Sequence, residues 1–222
     1  MIYLFCDSGY GRQFFQACVR HCGDRGLALT VVYSARRARH PGSPARRLFR
    51  KLRGWYRAVR IPRVDGLSIR WIADVNDPRF IESIDLESHA VIAGFNQIFG
   101  RNLIDRFLSV ANFHPSVLPN YRGPVPSYWC VRNGERKTGY TLHRVTERID
   151  SGEILYQEAV EIGSITDPSD LDERIARAAV PTLIRYLDQL DGRERWPVVT
   201  VSPDSVYSSP IRYASFPSTR EP

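Results

Sequence analysis

Residues 90–114 read AVIAGFNQIFGRNLIDRFLSVANFH: two short apolar runs, Ala90 to Gly94 and Val110 to His114, flank a stretch from Arg101 to Leu108 with helical spacing. Apolar runs this short suit strands covered on both faces, the hallmark of a parallel sheet. The same rhythm extends outward. Ile2 to Cys6, Leu27 to Tyr33 and Leu67 to Ala73 read as strands, and Gln13 to His21 and Pro78 to Ile84 as helices. Strands alternating with helices predict an α/β fold, a mostly parallel sheet with helices on both faces. After Gly139 the pattern changes to two strand-like runs, Tyr140 to Val145 and Ile154 to Ile162, and then a helix from Ser169 to Leu190.

The chain has 222 residues, 43% hydrophobic and 25% charged, the composition of an ordinary folded domain. Its longest apolar runs fall far short of the roughly 18 residues that a membrane span needs. The N-terminal run meets Asp7 at once and has no basic flank, so no leader and a cytoplasmic location are expected. Four cysteines are too sparse for a disulfide scaffold. Cys18, His21 and Cys22 lack the spacing of a metal site, and no metal is expected.

The net charge of +7 belongs to one segment. From Arg36 to Arg63 there are eleven basic residues and no acid, and without them the balance falls to −4. Within it Leu48, Phe49, Leu52, Trp55, Tyr56 and Val59 recur at helical steps between Pro44 and Pro62. An amphipathic basic helix is expected there. It is either a solvated surface element or a clamp for a phosphorylated ligand, a nucleic acid or a membrane surface.

Ligands of open α/β sheets bind beyond the carboxyl ends of the strands. Asp7-Ser8-Gly9-Tyr10-Gly11 is a glycine-containing turn after the first strand, suited to an anion, but it lacks the third glycine of a dinucleotide fingerprint. Asn112-Phe113-His114-Pro115-Ser116 ends a later strand, and period-two alternation puts Asn112 and His114 on one side. Ile149-Asp150-Ser151-Gly152 supplies a carboxylate in the turn between the last two strands. An amide donor, an imidazole and a carboxylate suit attack of a neutral nucleophile on an acyl-type carbon. No serine or cysteine sits in a nucleophile-elbow setting, so direct transfer is expected rather than a covalent acyl-enzyme.

Asn112-x-His114-Pro115-Ser116-x-Leu118-Pro119-x-Tyr121-Arg122-Gly123, then Gly134, Gly139-x-Thr141-x-His143 and Asp150-x-Gly152-x-Ile154, resemble the catalytic core of the 10-formyltetrahydrofolate-dependent formyltransferases. The likeness runs from Ala90 to Ile162 and, more loosely, from Met1 to Leu190. It implies a Rossmann-like formyltransferase domain over residues 1–190, carrying the basic insert 36–63, with residues 191–222 as an extension packed on the same domain. It implies catalytic roles for Asn112, His114 and Asp150. It also implies a cleft for 10-formyltetrahydrofolate formed by Gly94, Phe95, Asn96, Gln97, Ile98 and Phe99 together with Val145, Thr146, Glu147 and Ile149. Gly9, Tyr10, Gly11, Tyr121, Arg122 and Gly123 would meet the acceptor.

Branches of that family formylate methionyl-tRNA, glycinamide ribonucleotide, nucleotide-linked amino sugars or hydroxyornithine. The methionyl-tRNA branch carries a further C-terminal domain, which is not expected here from the residues after Asp150. Tyr121-Arg122-Gly123-Pro124 and Trp129 look like the amino-sugar and methionyl-tRNA branches, and Gly9-Tyr10-Gly11 resembles the first loop of some sugar enzymes. The expectation is therefore an N-formyltransferase acting on a small, phosphorylated amine such as a nucleotide-linked amino sugar, in a chain able to form a homodimer. The alternatives are the same chemistry on another amine and, from a different class, an RNA-binding module that uses the arginine-rich helix.

Overall fold

The computed structural model describes residues 1–7, 9–35 and 65–192; Ser8, the basic segment with its expected helix, and residues 193–222 lie outside the described residues. Seven strands form one sheet: β1 (Ile2–Phe5), β2 (Leu29–Ser34), β3 (Leu67–Ile72), β4 (His89–Ile92), β5 (Ser109–His114), β6 (Lys137–Arg144) and β7 (Ile154–Glu161). Their order is β3-β2-β1-β4-β5-β6-β7, parallel from β3 to β5 and antiparallel from β5 to β7. Both faces of the parallel part are covered, because alternate residues of one strand enter different cores. Ile2 and Leu4 of β1 pack with α1 (Gly9–Arg25) and α5 (Pro168–Leu190), whereas Tyr3 and Phe5 pack with Phe80 of α2 (Pro78–Glu82) and Leu103 of α3 (Arg101–Ile104).

Burial at fourfold spacing explains the two long helices. Phe14, Cys18 and Cys22 form the inner face of α1, and Leu171, Ile175, Ala179, Leu183 and Leu187 that of α5. Asp167 caps α5 by accepting the Ser169 N–H at 2.7 Å, and Pro181 is accommodated within it.

Two local expectations are corrected, and one further helix is seen. Gly9, Tyr10 and Gly11 are the first turn of α1, not a turn before it. The reason lies in close packing: a Cβ on Gly11 would stand 2.6 Å from both the Ala93 carbonyl oxygen and Cys6 Cβ. The helix expected to reach Leu108 stops at Ile104, since the Leu108 N–H bonds back to the Ser88 carbonyl at 2.9 Å and draws the chain into β5. A short helix, α4 (Pro126–Arg132), follows the loop after β5, and the aromatic sequence there gave no helical period to read.

The crossover order reverses between β1 and β4, which opens a crevice at their carboxyl ends. Asp7 straps it: its N–H bonds to the Gly94 carbonyl at 3.1 Å, and its carboxylate accepts the Ser34 N–H at 2.6 Å and the Asn96 N–H at 3.4 Å. On the antiparallel side, β6 and β7 approach each other tightly at Gly139. A Cβ there would run into the Glu158 carbonyl and reach 2.8 Å from Val117 Cγ2. Gly139→Ala should therefore cost about 1–3 kcal/mol of stability through overpacking, read by urea denaturation; a midpoint equal to that of the parent would refute this account of the glycine.

Candidate active site

Asn112 and His114 leave the same face of β5, as alternation requires. Antiparallel pairing then sets His143 of β6 directly opposite Asn112, and Thr141 opposite His114. The β6–β7 turn brings Asp150 back over this pair at φ 47, a left-handed conformation for a non-glycine residue. Gly152 lets the turn close, since a Cβ there would overlap the Arg144 carbonyl.

Asp150 is the hub. Its Oδ1 lies 3.4 Å from Asn112 Nδ2 and 3.4 Å from His143 Nε2, and its Oδ2 accepts the Gly123 N–H at 2.8 Å and faces His114 Nδ1 at 3.5 Å. Hydrogen-bond partners assign the ring protons. His143 Nδ1 donates to the Arg144 carbonyl at 2.8 Å, so Nε2 of the neutral ring accepts from the Asn112 amide at 3.1 Å. His114 Nε2 donates to the Tyr121 carbonyl at 2.8 Å, which leaves Nδ1 with its lone pair toward the carboxylate. His143 thus fixes which way the Asn112 amide points, and the second amide N–H makes a long hydrogen bond to Asp150 Oδ1 at 3.4 Å that a ligand oxygen can replace.

Electrostatics keep both acceptors proton-free at neutral pH. Burial pushes the His114 ring below the ordinary imidazole value of 6.5; Asp150 opposes this, while His143 and Arg122 add to it. Burial alone would raise Asp150, but the histidines in their protonated form, His114 first, and the Gly123 N–H outweigh it and hold the carboxyl down at about 2. With the ring proton assigned to Nε2, a carboxylate and an imidazole lone pair face each other across 3.5 Å. Such a pair can receive a proton.

The loop after β5 is stitched to the sheet by Thr141. Its Oγ1 donates to the Ser116 carbonyl at 2.7 Å and accepts the Leu118 N–H at 3.0 Å, and Gln157 Nε2 bonds to both Thr141 Oγ1 and the Leu118 carbonyl at 2.8 Å. This gives a physical reason for each residue of Gly139-x-Thr141-x-His143: close strand approach, loop anchor and amide orienter.

The other residues singled out from sequence are distributed as follows. Gly94, at φ 67, and Asn96 line the crevice mouth beside Asp7. Gln97 is buried, its side chain joining the Val75 N–H at 2.9 Å to Ser34 Oγ at 2.7 Å, and Phe99 is buried against Phe5 with ring centroids 4.8 Å apart. Phe95 and Val145 are half-buried on that same apolar cluster. Ile98 and Ile149 are exposed, 67% and 52%, Thr146 bonds to the Arg148 carbonyl, and Glu147 lies 3.9 Å from Arg101. Tyr10 is buried against Phe14, and Gly9 and Gly11 belong to α1. Tyr121 is buried too, with its phenol bonded to Glu135 and Asn133, while Gly123 reaches Asp150 through its backbone and Arg122 lies close enough to act on His114. Among the described residues, no group of three or more His, Cys, Asp or Glu could hold a metal ion, and no helix is long and apolar enough to cross a membrane.

Residues 68–187 match the family model described as formyl transferase, and the chain belongs to this family. Among curated relatives it is 37% identical over 102 residues to the methionyl-tRNA formyltransferase of Solibacter usitatus, which covers 46% of this chain and 33% of that protein. It is 33% identical over 123 residues to that of Syntrophus aciditrophicus, covering 54% of this chain and 39% of that one. The chain thus spans well under half the length of these relatives. Two solved structures share the fold at low identity. A 4-N formyltransferase from Francisella tularensis has a TM-score of 0.65 at 18% identity, covering 97% of this chain and 76% of that chain. Glycinamide ribonucleotide transformylase 1 from Symbiobacterium toebii has a TM-score of 0.59 at 22% identity, covering 86% and 88%.

Proposed function

We propose that the protein transfers a formyl group from 10-formyltetrahydrofolate to a primary amine, with a nucleotide-linked amino sugar as the acceptor. The observation that carries the chemistry is the opposed pair of acceptors, Asp150 and His114 Nδ1, beside an amide N–H whose direction His143 fixes. An amine attacking a carbonyl carbon must lose a proton, and negative charge grows on the carbonyl oxygen. The pair takes the first and Asn112 meets the second. When bound, 10-formyltetrahydrofolate supplies the electrophilic formyl carbon. Exposed Ile98 and Ile149 offer apolar surface to a flat heterocycle. As the new C–N bond forms and the old one breaks, the proton held at His114 and Asp150 is returned to the departing nitrogen. Near-complete burial of His114 keeps competing water away from that proton.

Charge supports this acceptor. Eleven basic residues between Arg36 and Arg63 with no acid suit a diphosphate, through bidentate guanidinium contacts. Sequence likeness to methionyl-tRNA formyltransferases supports a second reading, in which the amine is carried on an aminoacylated tRNA. Incubation with 10-formyltetrahydrofolate and a panel of amines decides between them. A nucleotide-linked amino sugar should gain one formyl group, read by mass; gain on aminoacylated tRNA alone would replace the first acceptor with the second. In the same assay His114→Ala should lower turnover at least about a hundredfold, the usual scale for a positioned acid–base group, while folate binding survives. Turnover near the parent level would remove His114 from the chemistry.

A further inference from the structure

Tyr121 adopts φ 56, a left-handed conformation that side chains with a Cβ avoid. Its backbone and that of its neighbours are what the site leans on. The Tyr121 carbonyl receives the His114 Nε2–H at 2.8 Å, and the Gly123 N–H, two residues on, holds Asp150 Oδ2 at 2.8 Å. A shift of this short segment would therefore release both groups at once. An unfavourable backbone conformation persists only where its surroundings impose it.

The tyrosine is also held at its other end. The phenol donates to the Glu135 carboxylate and accepts the Asn133 Nδ2–H at 3.0 Å. Both partners come from the turn after α4, which is itself pinned to that helix: Asn133 N–H to the Trp129 carbonyl, Gly134 N–H to the Val131 carbonyl and Glu135 N–H to the Cys130 carbonyl, each at 3.0 Å. The chain of contacts runs from Glu135 through the Tyr121 phenol and ring to the Tyr121 carbonyl, and from there to His114. Burial and the neighbouring Glu135 push the phenol up to about 12, so it remains a donor across any working pH.

We propose that Glu135 is a positioning residue of this enzyme, acting through Tyr121 to hold His114 in the single tautomer whose Nδ1 lone pair faces Asp150. The reaction it serves is the formyl transfer proposed above, and the proposal rests on that reading for its effect on rate. Its effect on the imidazole does not. Glu135 neither touches His114 nor Asp150 in the described contacts, so removing it leaves every reacting group in the chain.

Nitrogen NMR of the His114 ring in the full chain tests the tautomer, and steady-state formyl transfer tests the consequence. The parent and Glu135→Gln, which keeps an acceptor oxygen for the phenol, should show one ring tautomer protonated at Nε2. Glu135→Ala and Tyr121→Phe should lose that single state. Their kcat should fall about tenfold to a hundredfold, as for a misplacement transmitted from outside the reacting groups, with KM for the folate unchanged. Both variants remove the Glu135–Tyr121 hydrogen bond, Tyr121→Phe together with the one from Asn133, so a folded Glu135→Ala decides the role of Glu135 and Tyr121→Phe that of the phenol as a whole. A folded variant that keeps the parent tautomer overturns the proposal. If the parent itself moves no formyl group, the reaction assigned above fails, while the ring spectra still decide the role of Glu135.

Discussion

Asp150→Asn should lower turnover by about 10³-fold or more while leaving the fold intact, because one carboxylate serves four partners. Removing the orienting and charge-bearing member of a buried acid–base group has a cost of this size, and its members act as a unit. The substitution keeps the shape of the side chain but removes one of the two opposed proton acceptors. The sign of the pH effect follows. Asp150 favours the His114 imidazolium, so its neutral replacement should lower the histidine further and move the acid limb of residual activity to lower pH. Stability offers a second readout. A carboxyl held at about 2 in place of 3.8 stabilises the folded state by about 2 kcal/mol above the higher value, and this is lost as pH falls through the lower one. The parent should therefore lose stability over that window, and Asp150→Asn should lack that component. An unchanged pH profile together with parental acid stability would show that the carboxylate is not the hub.

Asn112→Ala should lower kcat by about 10²–10³-fold, the cost of one preorganised donor aimed at a developing oxyanion. The apparent affinity for either substrate should change far less. The prediction rests on direction as much as on presence: His143 accepts one amide N–H at 3.1 Å, and the other, in a long 3.4 Å bond to Asp150, is the one a ligand oxygen can take over. Comparable loss in KM and kcat would mean that Asn112 binds ground state and transition state alike, and the oxyanion role would have to be given up.

The sheet and the strand that carries Asn112 and His114 were legible because both depend on local periodicity. Short apolar runs marked the parallel strands, and alternation put Asn112 and His114 on one side of β5, where they stand. The pairing of Asn112 with His143 was not legible, since register between β5 and β6 spans some thirty residues and no local pattern encodes it. The same holds for backbone groups. The Tyr121 carbonyl and Gly123 N–H carry no residue-type signature, and left-handed Tyr121, Val125 and Asp150 run against the preference for glycine there. Gly9-Tyr10-Gly11 misled for the opposite reason. Glycines signal turns by default, yet Gly11 is needed where α1 passes close over β1 and β4.

Following an isotopically labelled formyl carbon through a single turnover, with the parent protein, labelled 10-formyltetrahydrofolate and a nucleotide-linked amino sugar, tests the central claim most directly. The account predicts that the label arrives on the acceptor nitrogen as a formamide, since Asp150 and His114 together accept a proton from an attacking amine. Label released as free formate, or retained on the folate with every amine offered, would contradict it.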